Sequence, residues 1–408
     1  MSKIAIICPL DYPVPAVKGG AIETLIEIFL NENEIYKSCE IIVYSYFEKN
    51  AKVEAEKYIN TNFVFIKVGR LRKKIDDFFI KIMRKLFKIE IPQLFLRNVI
   101  KDIKKIGINT VLIEGNKDYV IPLRKLNKDI DLYLHIHSDA FAYNKKLNRD
   151  IIKSCKKVIT VSDFIAKKTL GHISEYNGNN IVTLANCVDK RFFKNEENSI
   201  RNPFKERYNI SDNDFVIIFS GRIIKEKGVK ELILAFKKYC LNLNMKLLII
   251  GNAGFGKSIK SNYDEEVLDL AEEMDDKIIF TGFIHNSKLP QINELADIAI
   301  IPSIWDEPAG MVVVEAIASG IPIVTTNSGG IPEYINSKCS ISIKRDKDIV
   351  DNLGKSILTL YYDTNLREKM SIEAKLKSRE FIPNVYYKNL IKILNIDGDK
   401  TYENKKLN

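Results

Sequence analysis

The fold of this chain is decided by residues 217–230, which read IIFSGRIIKEKGVK. An apolar run ends at Gly221, a short charged loop follows, and a helical pattern begins just after Gly228. A buried strand that leads through a loop into a helix is the building unit of parallel sheets. Arg222 and Lys227 lie on the loop and suit a diphosphate, because arginine binds phosphate bidentately and lysine adds a point charge. A solvated loop would carry similar charge, but the bracketing glycines favour a ligand-facing loop.

Strands of this kind alternate with helical patterns along the whole chain. We predict seven strands in the first half and six in the second, and therefore two tandem doubly wound α/β domains. A length of 408 residues agrees with this, because single cores stop growing near ~250 residues. The polar stretch 194–214 lacks periodicity and places the boundary, so residues 1–200 form the first domain and 201–382 the second. A polar tail, 396–408, ends the chain.

Composition excludes several classes of protein. With 46% hydrophobic and 28% charged residues, the chain is typical of soluble globular proteins, and no run approaches the ~18 apolar residues needed to span a bilayer. We interpret the apolar N-terminal stretch, which ends at Pro9, as a buried strand rather than a signal peptide. The six cysteines show no Cys-x-x-Cys spacing, so free cytoplasmic thiols are expected and a structural zinc site is not.

The net charge of +10 is concentrated in residues 67–105, which hold thirteen basic side chains against four acidic ones. Within this segment, apolar residues from Ile75 to Phe87 recur at helical spacing, with lysines and arginines on the other face. Such a helix can lie on an anionic membrane, or it can pack against a core with a solvated basic back. Residues 70–105 are thus a candidate for peripheral attachment to the inner face of the cell membrane.

A second stretch, residues 305–320, reads WDEPAGMVVVEAIASG and places two glutamates around the start of an apolar helix. Glu315 lies in a run without other charges, where an unpartnered carboxylate is costly, so we expect a polar ligand to meet it. Glu307 precedes the helix, where capping alone would explain an acid. The helix start offers an anion site at Gly310, Met311 and Val312. Amides for a phosphate and carboxylates for hydroxyls together describe a nucleotide-sugar site.

Two further motifs lie at predicted strand ends. Gly19 and Gly20 stand before a helix, where glycines let the backbone approach a ligand, although an ordinary strand-to-helix turn looks the same. His135 and His137 project from one face of a strand, with His137 at its carboxyl end. A zinc pair would need a third ligand, which the sequence does not offer, so we interpret His135 as structural and His137 as functional.

Together these residues resemble the retaining glycosyltransferases of family 4, which have the GT-B fold. The matching motifs are, in chain order, Gly19-Gly20, His137, Asn186-Cys187-Val188-Asp189, Gly221-Arg222, Lys227-Gly228, Gly282-Phe283, Pro302-Ser303, Glu307 with Glu315, and Gly329-Gly330-Ile331-Pro332-Glu333. The opening around the glycine pair is similar to bacterial capsule and spore-coat members. The resemblance implies two Rossmann-like domains facing across a cleft, an acceptor-side domain first and a donor-binding domain second. It also implies that a C-terminal helix at 383–395 packs back on the first domain.

The resemblance further implies a role for each site residue. Arg222 and Lys227 would bind the donor diphosphate and stabilise the charge of the leaving group. Glu315 would accept the ribose hydroxyls, Glu307 would hold hydroxyls of the donor sugar, and His137 would lie beside the reacting sugar. The implied catalytic residues are Glu307, His137, Arg222 and Lys227. The implied donor-binding residues are Gly19, Gly20, Arg222, Lys227, Glu307, Gly310, Met311, Val312 and Glu315.

The reaction that the resemblance implies moves a hexose from a nucleoside-diphosphate sugar, with UDP favoured, to a glycan or lipid-linked acceptor in envelope or capsular polysaccharide synthesis. It retains the anomeric configuration and needs no metal or other cofactor, and no nucleic-acid partner is expected. One alternative is a sugar-nucleotide epimerase on the same fold, which would need an acid/base set that the sequence lacks. Another is a non-catalytic partner that binds sugar nucleotide or stabilises a second transferase. Such a protein would be free to lose the site residues, so their presence argues against this alternative: Glu307, Glu315, Arg222 and Lys227.

Overall fold

The structure is a computed structural model that describes residues 2–67, 69, 76, 78, 80, 82, 92–141, 145–173, 178–193, 202–252, 262–274 and 276–396. The chain divides into two compact units: unit 1 comprises Met1–Asn186 with Pro383–Asn408, and unit 2 comprises Cys187–Ile382. The boundary between the units therefore lies before residue 200, whereas the sequence placed it at residue 200. Val188 already belongs to unit 2, because its N–H donates to the carbonyl of Phe381 at 3.2 Å.

Unit 1 contains a seven-stranded sheet in the order β3-β2-β1-β4-β5-β6-β7, and all of its neighbouring strands are parallel. The strands are β1 Ser2–Ile7, β2 Cys39–Tyr46, β3 Thr61–Ile66, β4 Thr110–Glu114, β5 Asp131–Ile136, β6 Lys157–Thr160 and β7 Ile181–Thr183. Apolar runs such as that of β1 form central strands because helices cover both faces of a parallel sheet. The predicted number of strands is confirmed in the described part of this unit.

The helices of unit 1 are α1 Ala21–Tyr36, α2 Lys49–Ala55, α3 Leu94–Ile106, α4 Val120–Leu126, α5 Lys145–Ser154 and α6 Asp163–Gly171. The last helix of the chain, Pro383–Ile393, also belongs to unit 1. Its Tyr387 hydroxyl donates to Asn33 Oδ1 of α1 at 2.8 Å. Just beyond it, the carbonyl of Leu394 accepts a hydrogen bond from Tyr133 of β5 at 3.0 Å. These buried contacts attach this helix and Leu394 to α1 and β5.

Unit 2 contains a six-stranded parallel sheet in the order β10-β9-β8-β11-β12-β13. The strands are β8 Phe215–Ser220, β9 Met245–Ile250, β10 Ile278–Gly282, β11 Ile298–Ile301, β12 Ile323–Thr326 and β13 Ser340–Ile343. The helices are α7 Pro203–Arg207, α8 Val229–Tyr239, α9 Asn262–Ala271, α10 Leu289–Asn293, α11 Met311–Ala318, α12 Ile331–Tyr334, α13 Ile349–Tyr362 and α14 Thr364–Ser378. The C-terminal helix of unit 1 is therefore α15.

Residues 217–230 fold as predicted into β8, a loop and the start of α8. Ile217, Val229 and Phe236 are fully buried in the core of unit 2. All six cysteines are buried and free. Among the described residues no helix has both the length and the apolar character that a bilayer span requires.

Candidate functional site

In unit 2 the strand order reverses between β8 and β11, which run side by side. Ligands of open α/β sheets bind beyond the carboxyl ends of the strands at such a reversal. The loops that leave these strands are joined by a hydrogen bond from Ile304 N to Glu226 O (2.9 Å). Gly228, with φ of 71°, approaches Pro302 so closely that a β-carbon would stand 2.1 Å from the Pro302 carbonyl oxygen. Only glycine permits this approach, which brings Lys227 against the β11 loop.

Lys227 and Glu307 form an ion pair in unit 2. Lys227 Nζ lies 2.6 Å from Glu307 Oε1, and only 9% of the Glu307 side chain is exposed. The hydroxyl of Ser303 donates to the same oxygen at 2.6 Å. The other oxygen, Oε2, makes no hydrogen bond to a described residue. Helix capping does not explain this acid, because Gly310 is the N-cap of α11.

The backbone around the ion pair is held by buried hydroxyls and a glycine. Thr326 Oγ1 and Ser328 Oγ both donate to the carbonyl of Ser303, at 2.6 and 2.9 Å. Gly329, with φ of 55°, lies so close to Glu307 that a β-carbon would stand 2.2 Å from its carbonyl oxygen. The family motif that begins at Gly329 therefore positions Glu307. Sequence reasoning had included Ser303 in a motif but had given it no role.

Helix α11 presents an uncapped first turn next to this ion pair. Its N-cap, Gly310, has no side chain to bind the N–H groups of Met311 and Val312, which are therefore available to an anion. One turn later, Glu315 lines a small cavity with Ser220 at the end of β8. Burial raises the pKa of Glu315 to about 7, although its side chain is partly exposed rather than fully covered. No described residue bonds its carboxylate, as the sequence led us to expect.

The remaining charged residues of this segment are arranged asymmetrically. Arg222 lies on the same loop as Lys227 and is partly exposed. Asp306 pairs with Arg345 at 2.6 Å, whereas the next residue, Glu307, binds Lys227. The donor-binding residues predicted in the second half of the chain therefore lie on two loops and one helix start of unit 2.

In unit 1 the strand order reverses between β1 and β4, and Gly19 and Gly20 precede α1 at that edge. Gly20 lies against a carboxylate that sequence reasoning missed. A β-carbon on Gly20 would stand 2.1 Å from Glu23 Oε2. Glu23 is buried, and burial, with a smaller contribution from the charges of Asp11 and Glu114, raises its pKa to about 7. An anion that approaches Gly20 would meet this acid.

Glu114 ends β4 and joins the two histidines of the next strand in one cluster. Its Oε2 lies 2.7 Å from His137 Nε2 and 3.2 Å from His135 Nδ1. Burial disfavours the ionised carboxylate, but the two imidazoles outweigh it and lower the pKa of Glu114 to about 2. Burial, together with His135, lowers the pKa of His137 to about 4. A carboxylate at the end of an apolar strand, next to the His-x-His strand, was the signal that could have identified Glu114.

This cluster changes the reasoning about zinc. The sequence offered no third ligand for the two histidines, whereas the structure places Glu114, His135 and His137 with one ligand atom each within 4.8 Å of one another. A metal-bound imidazole almost always donates its other N–H to a partner. Coordination through His135 Nδ1 would put a proton on Nε2, which is buried and has no partner among the described residues. If His135 instead donates a hydrogen bond from Nδ1, its Nε2 carries a lone pair without a donor, which costs less than a buried N–H without an acceptor. The geometry therefore favours a hydrogen-bonded cluster over a zinc site.

Half of the residues 70–105 fall outside the described residues, including 70–75 and 83–91. Phe78, on the predicted apolar face, is 66% exposed. Helix α3 follows and is amphipathic, with one face buried. Its exposed basic residues are Lys101, Lys104 and Lys105.

Residues 200–377 match the family model described as glycosyl transferases group 1. Spore coat protein SA of Bacillus subtilis is 25% identical over 376 residues, which cover 90% of this chain and 92% of the relative. Lipopolysaccharide 1,2-N-acetylglucosaminetransferase of Salmonella typhimurium is 27% identical over 229 residues, 56% of this chain and 57% of the relative.

Solved structures resemble the chain over nearly its full length. A glycosyltransferase from Rickettsia africae aligns with a TM-score of 0.76 at 18% identity, covering 97% of this chain and 98% of that one. Anabaena HepE, solved in complex with UDP-glucose, aligns with a TM-score of 0.73 at 16% identity, covering 97% of this chain and 100% of that one. At these identities the likeness concerns the fold alone. The predicted fold class, two tandem Rossmann-like domains of the GT-B type, is confirmed.

Proposed function

We propose that the chain is a retaining family 4 hexosyltransferase, because residues 200–377 match the family model described as glycosyl transferases group 1. The donor is a nucleoside-diphosphate sugar, most simply a UDP-sugar. The acceptor is a glycan or a lipid-linked sugar of envelope or capsular polysaccharide synthesis. The observation that carries the proposal is the Lys227–Glu307 ion pair beside the uncapped start of α11.

The unit 2 loops supply what a sugar diphosphate needs. Lys227 and Arg222 provide positive charge for the diphosphate, and the N–H groups of Met311 and Val312 provide neutral donors for its oxygens. Glu307 Oε2, which has no described partner, accepts hydroxyls of the donor sugar. The two charges of the ion pair thus serve two neighbouring parts of one ligand. Glu315 accepts the ribose hydroxyls, which removes the cost of leaving its carboxylate without a partner.

The chemical step is the one that the resemblance to retaining glycosyltransferases implies. The bond between the anomeric carbon and the diphosphate oxygen breaks, and a bond to the acceptor oxygen forms on the same face. The acceptor proton passes to the departing phosphate oxygen, so no protein nucleophile is required. Lys227 and Arg222 stabilise the negative charge that develops on the diphosphate. The proposal includes no metal, because these cations supply the charge that a metal would otherwise supply.

The relatives support this choice of substrates. A structural neighbour binds UDP-glucose, and a curated relative is named for transfer of N-acetylglucosamine to lipopolysaccharide. The exposed basic face of α3 is compatible with work at the inner surface of the cell membrane, where lipid-linked acceptors lie.

The proposal is tested by measuring release of nucleoside diphosphate from a panel of UDP-, GDP- and ADP-sugars, with glycan and lipid-linked acceptors. For the best donor, Glu307→Ala should lower kcat/KM about 100-fold, because it removes the sugar-binding carboxylate and leaves Lys227 without its partner. Glu265→Ala, an exposed glutamate of unit 2, serves as the matched control and should keep wild-type turnover. No turnover by the wild type with any donor, together with unchanged nucleotide binding by Glu307→Ala, would overturn the proposal.

A further inference from the structure

The geometry points to Glu114 and His135 as positioning residues that hold His137 in a single tautomer, with Nδ1 as a hydrogen-bond acceptor. The inference rests on the proposed function and on the position beside the reacting sugar that the family resemblance implies for His137. It assigns a role to two buried residues for which sequence reasoning gave no function in the reaction.

The hydrogen bond between Glu114 and His137 fixes the tautomer. Glu114 Oε2 lies 2.7 Å from His137 Nε2 and can only accept, because the carboxylate is ionised. His137 must therefore carry its proton on Nε2. A neutral imidazole has one N–H, so Nδ1 bears a lone pair. Nδ1 has no hydrogen-bond partner among the described residues, and 10% of the side chain is exposed.

His135 fixes the carboxylate in turn. It lies two residues before His137 on the same face of the strand, with the two ring centroids 4.1 Å apart. Its Nδ1 lies 3.2 Å from the same Glu114 oxygen that binds His137, and its side chain is fully buried. The hydrogen bond from this Nδ1 goes to the other oxygen, Glu114 Oε1, at 3.4 Å. Both carboxylate oxygens are therefore held, and with an imidazole packed beneath, the carboxylate has little freedom to turn.

The fixed tautomer determines what this site recognises. A lone pair on Nδ1 accepts a hydrogen bond from a hydroxyl, and it repels the unprotonated oxygen of a phosphate. The buried charge of Glu114 adds to that repulsion. The ligand group at His137 is therefore a sugar hydroxyl. Phosphate contacts belong elsewhere in the protein.

The tautomer can be observed without any activity measurement. The chain has four histidines, so ¹⁵N-histidine NMR of the whole protein gives four ring systems, and His137→Gln assigns the relevant one. We expect a neutral Nε2–H imidazole at pH 7 in the wild type and a mixture of tautomers in Glu114→Leu. An Nδ1–H tautomer, an imidazolium, or a spectrum of His137 unchanged by Glu114→Leu would overturn the inference. Glu114→Gln keeps the side-chain shape should Glu114→Leu fail to fold, and His172 and His285 report on folding.

Kinetics then separate positioning from general stability. Glu114→Leu and His135→Phe should lower kcat about 10- to 100-fold, as expected for loss of a hydrogen bond to a charged group, with donor KM within about twofold of the wild type. His172→Gln, a partly exposed histidine that also faces a carboxylate, is the control and should be unaffected. Wild-type kcat in folded Glu114→Leu, or stoichiometric zinc whose removal by chelator abolishes turnover, would overturn the inference. If the wild type transfers no sugar, the proposed function fails, while the NMR result still decides the tautomer.

Discussion

Both units place polar residues where the order of their strands reverses, but these residues differ in charge and in hydrogen-bonding character. In unit 1 the strand order reverses between β1 and β4, and in unit 2 between β8 and β11. Around the first reversal lie Glu23, Glu114 and a histidine whose pKa is lowered. Around the second lie Lys227, an arginine and the uncapped N-terminus of α11. One edge is built from acceptors, and the other is built largely from donors.

This difference shows that strand order determines where a ligand binds, whereas the loops determine which ligand. A helix N-terminus attracts an anion, and both edges have one that starts after a glycine. At α1 the carboxyl of Glu23 already lies beside Gly20. At α11 the nearby carboxylate of Glu307 is bound to Lys227, and the first turn is uncapped. We infer that phosphate binds at unit 2, and that the predicted approach of Gly20 to the diphosphate requires Glu23 to be protonated or displaced.

The largest expected effect comes from removing a cation from the edge of unit 2 between β8 and β11. Lys227→Ala should reduce kcat/KM for the donor by about 100- to 1,000-fold, because it removes charge stabilisation of the leaving diphosphate. Steady-state release of nucleoside diphosphate measures this effect. Lys225→Ala, an exposed lysine on the same loop, should cost little. Equal losses in the two variants would mean that general loop charge, rather than the residue paired with Glu307, distinguishes the units.

A smaller effect concerns Glu315. With its pKa raised to about 7, the carboxyl is partly protonated at neutral pH. Ribose hydroxyls donate to the ionised form, so UDP binding should lower this pKa and release protons, and affinity should rise as pH increases from about 6 to 8. Glu315→Gln should bind UDP about tenfold more weakly and release fewer protons. Calorimetry in two buffers of different ionisation enthalpy measures both quantities, and equal proton release by the two proteins would contradict the assignment.

The smallest expected effect concerns membrane binding by the exposed face of α3 in unit 1. Each lysine on the exposed face of α3 should contribute about 1 kcal/mol to binding of an anionic membrane, so Lys104→Gln should weaken partitioning about fivefold at low salt. Sedimentation with phosphatidylserine-containing vesicles measures it. Lys288→Gln replaces an exposed lysine of unit 2 and is the control. Equal weakening by both variants would show that net charge, and not this face of unit 1, binds the membrane.

Much of the fold was predictable because it depends on local patterns. The alternation of apolar strands with helices predicted both parallel sheets, and β8 with its loop and helix formed where residues 217–230 placed them. The apolar neighbours of Glu315 in the sequence predicted that a polar ligand meets its carboxylate, and that ligand stays a prediction. The boundary predicted at residue 200 differs from the division between the compact units at Asn186, because the polar stretch near residue 200 does not coincide with the change of packing.

The contacts that define the two sites were not predictable in the same way. Lys227 and Glu307 lie eighty positions apart, and their 2.6 Å ion pair depends on the close approach that Gly228 permits. Glu114 reaches His135 because β4 and β5 are neighbours in register, which no local pattern states. Glu23 and Ser303 acquired roles only when their neighbours were known.

The sequence by itself therefore determined the α/β class, the two sheets, the family resemblance and the types of residue at the strand ends. These depend on hydrophobic periodicity and on short motifs, which are local properties of the chain. The tertiary structure alone decided which of those residues meet and what charge each edge presents. Hydrogen bonds and ion pairs act over about 3 Å, and only folding brings residues from distant loops within that range.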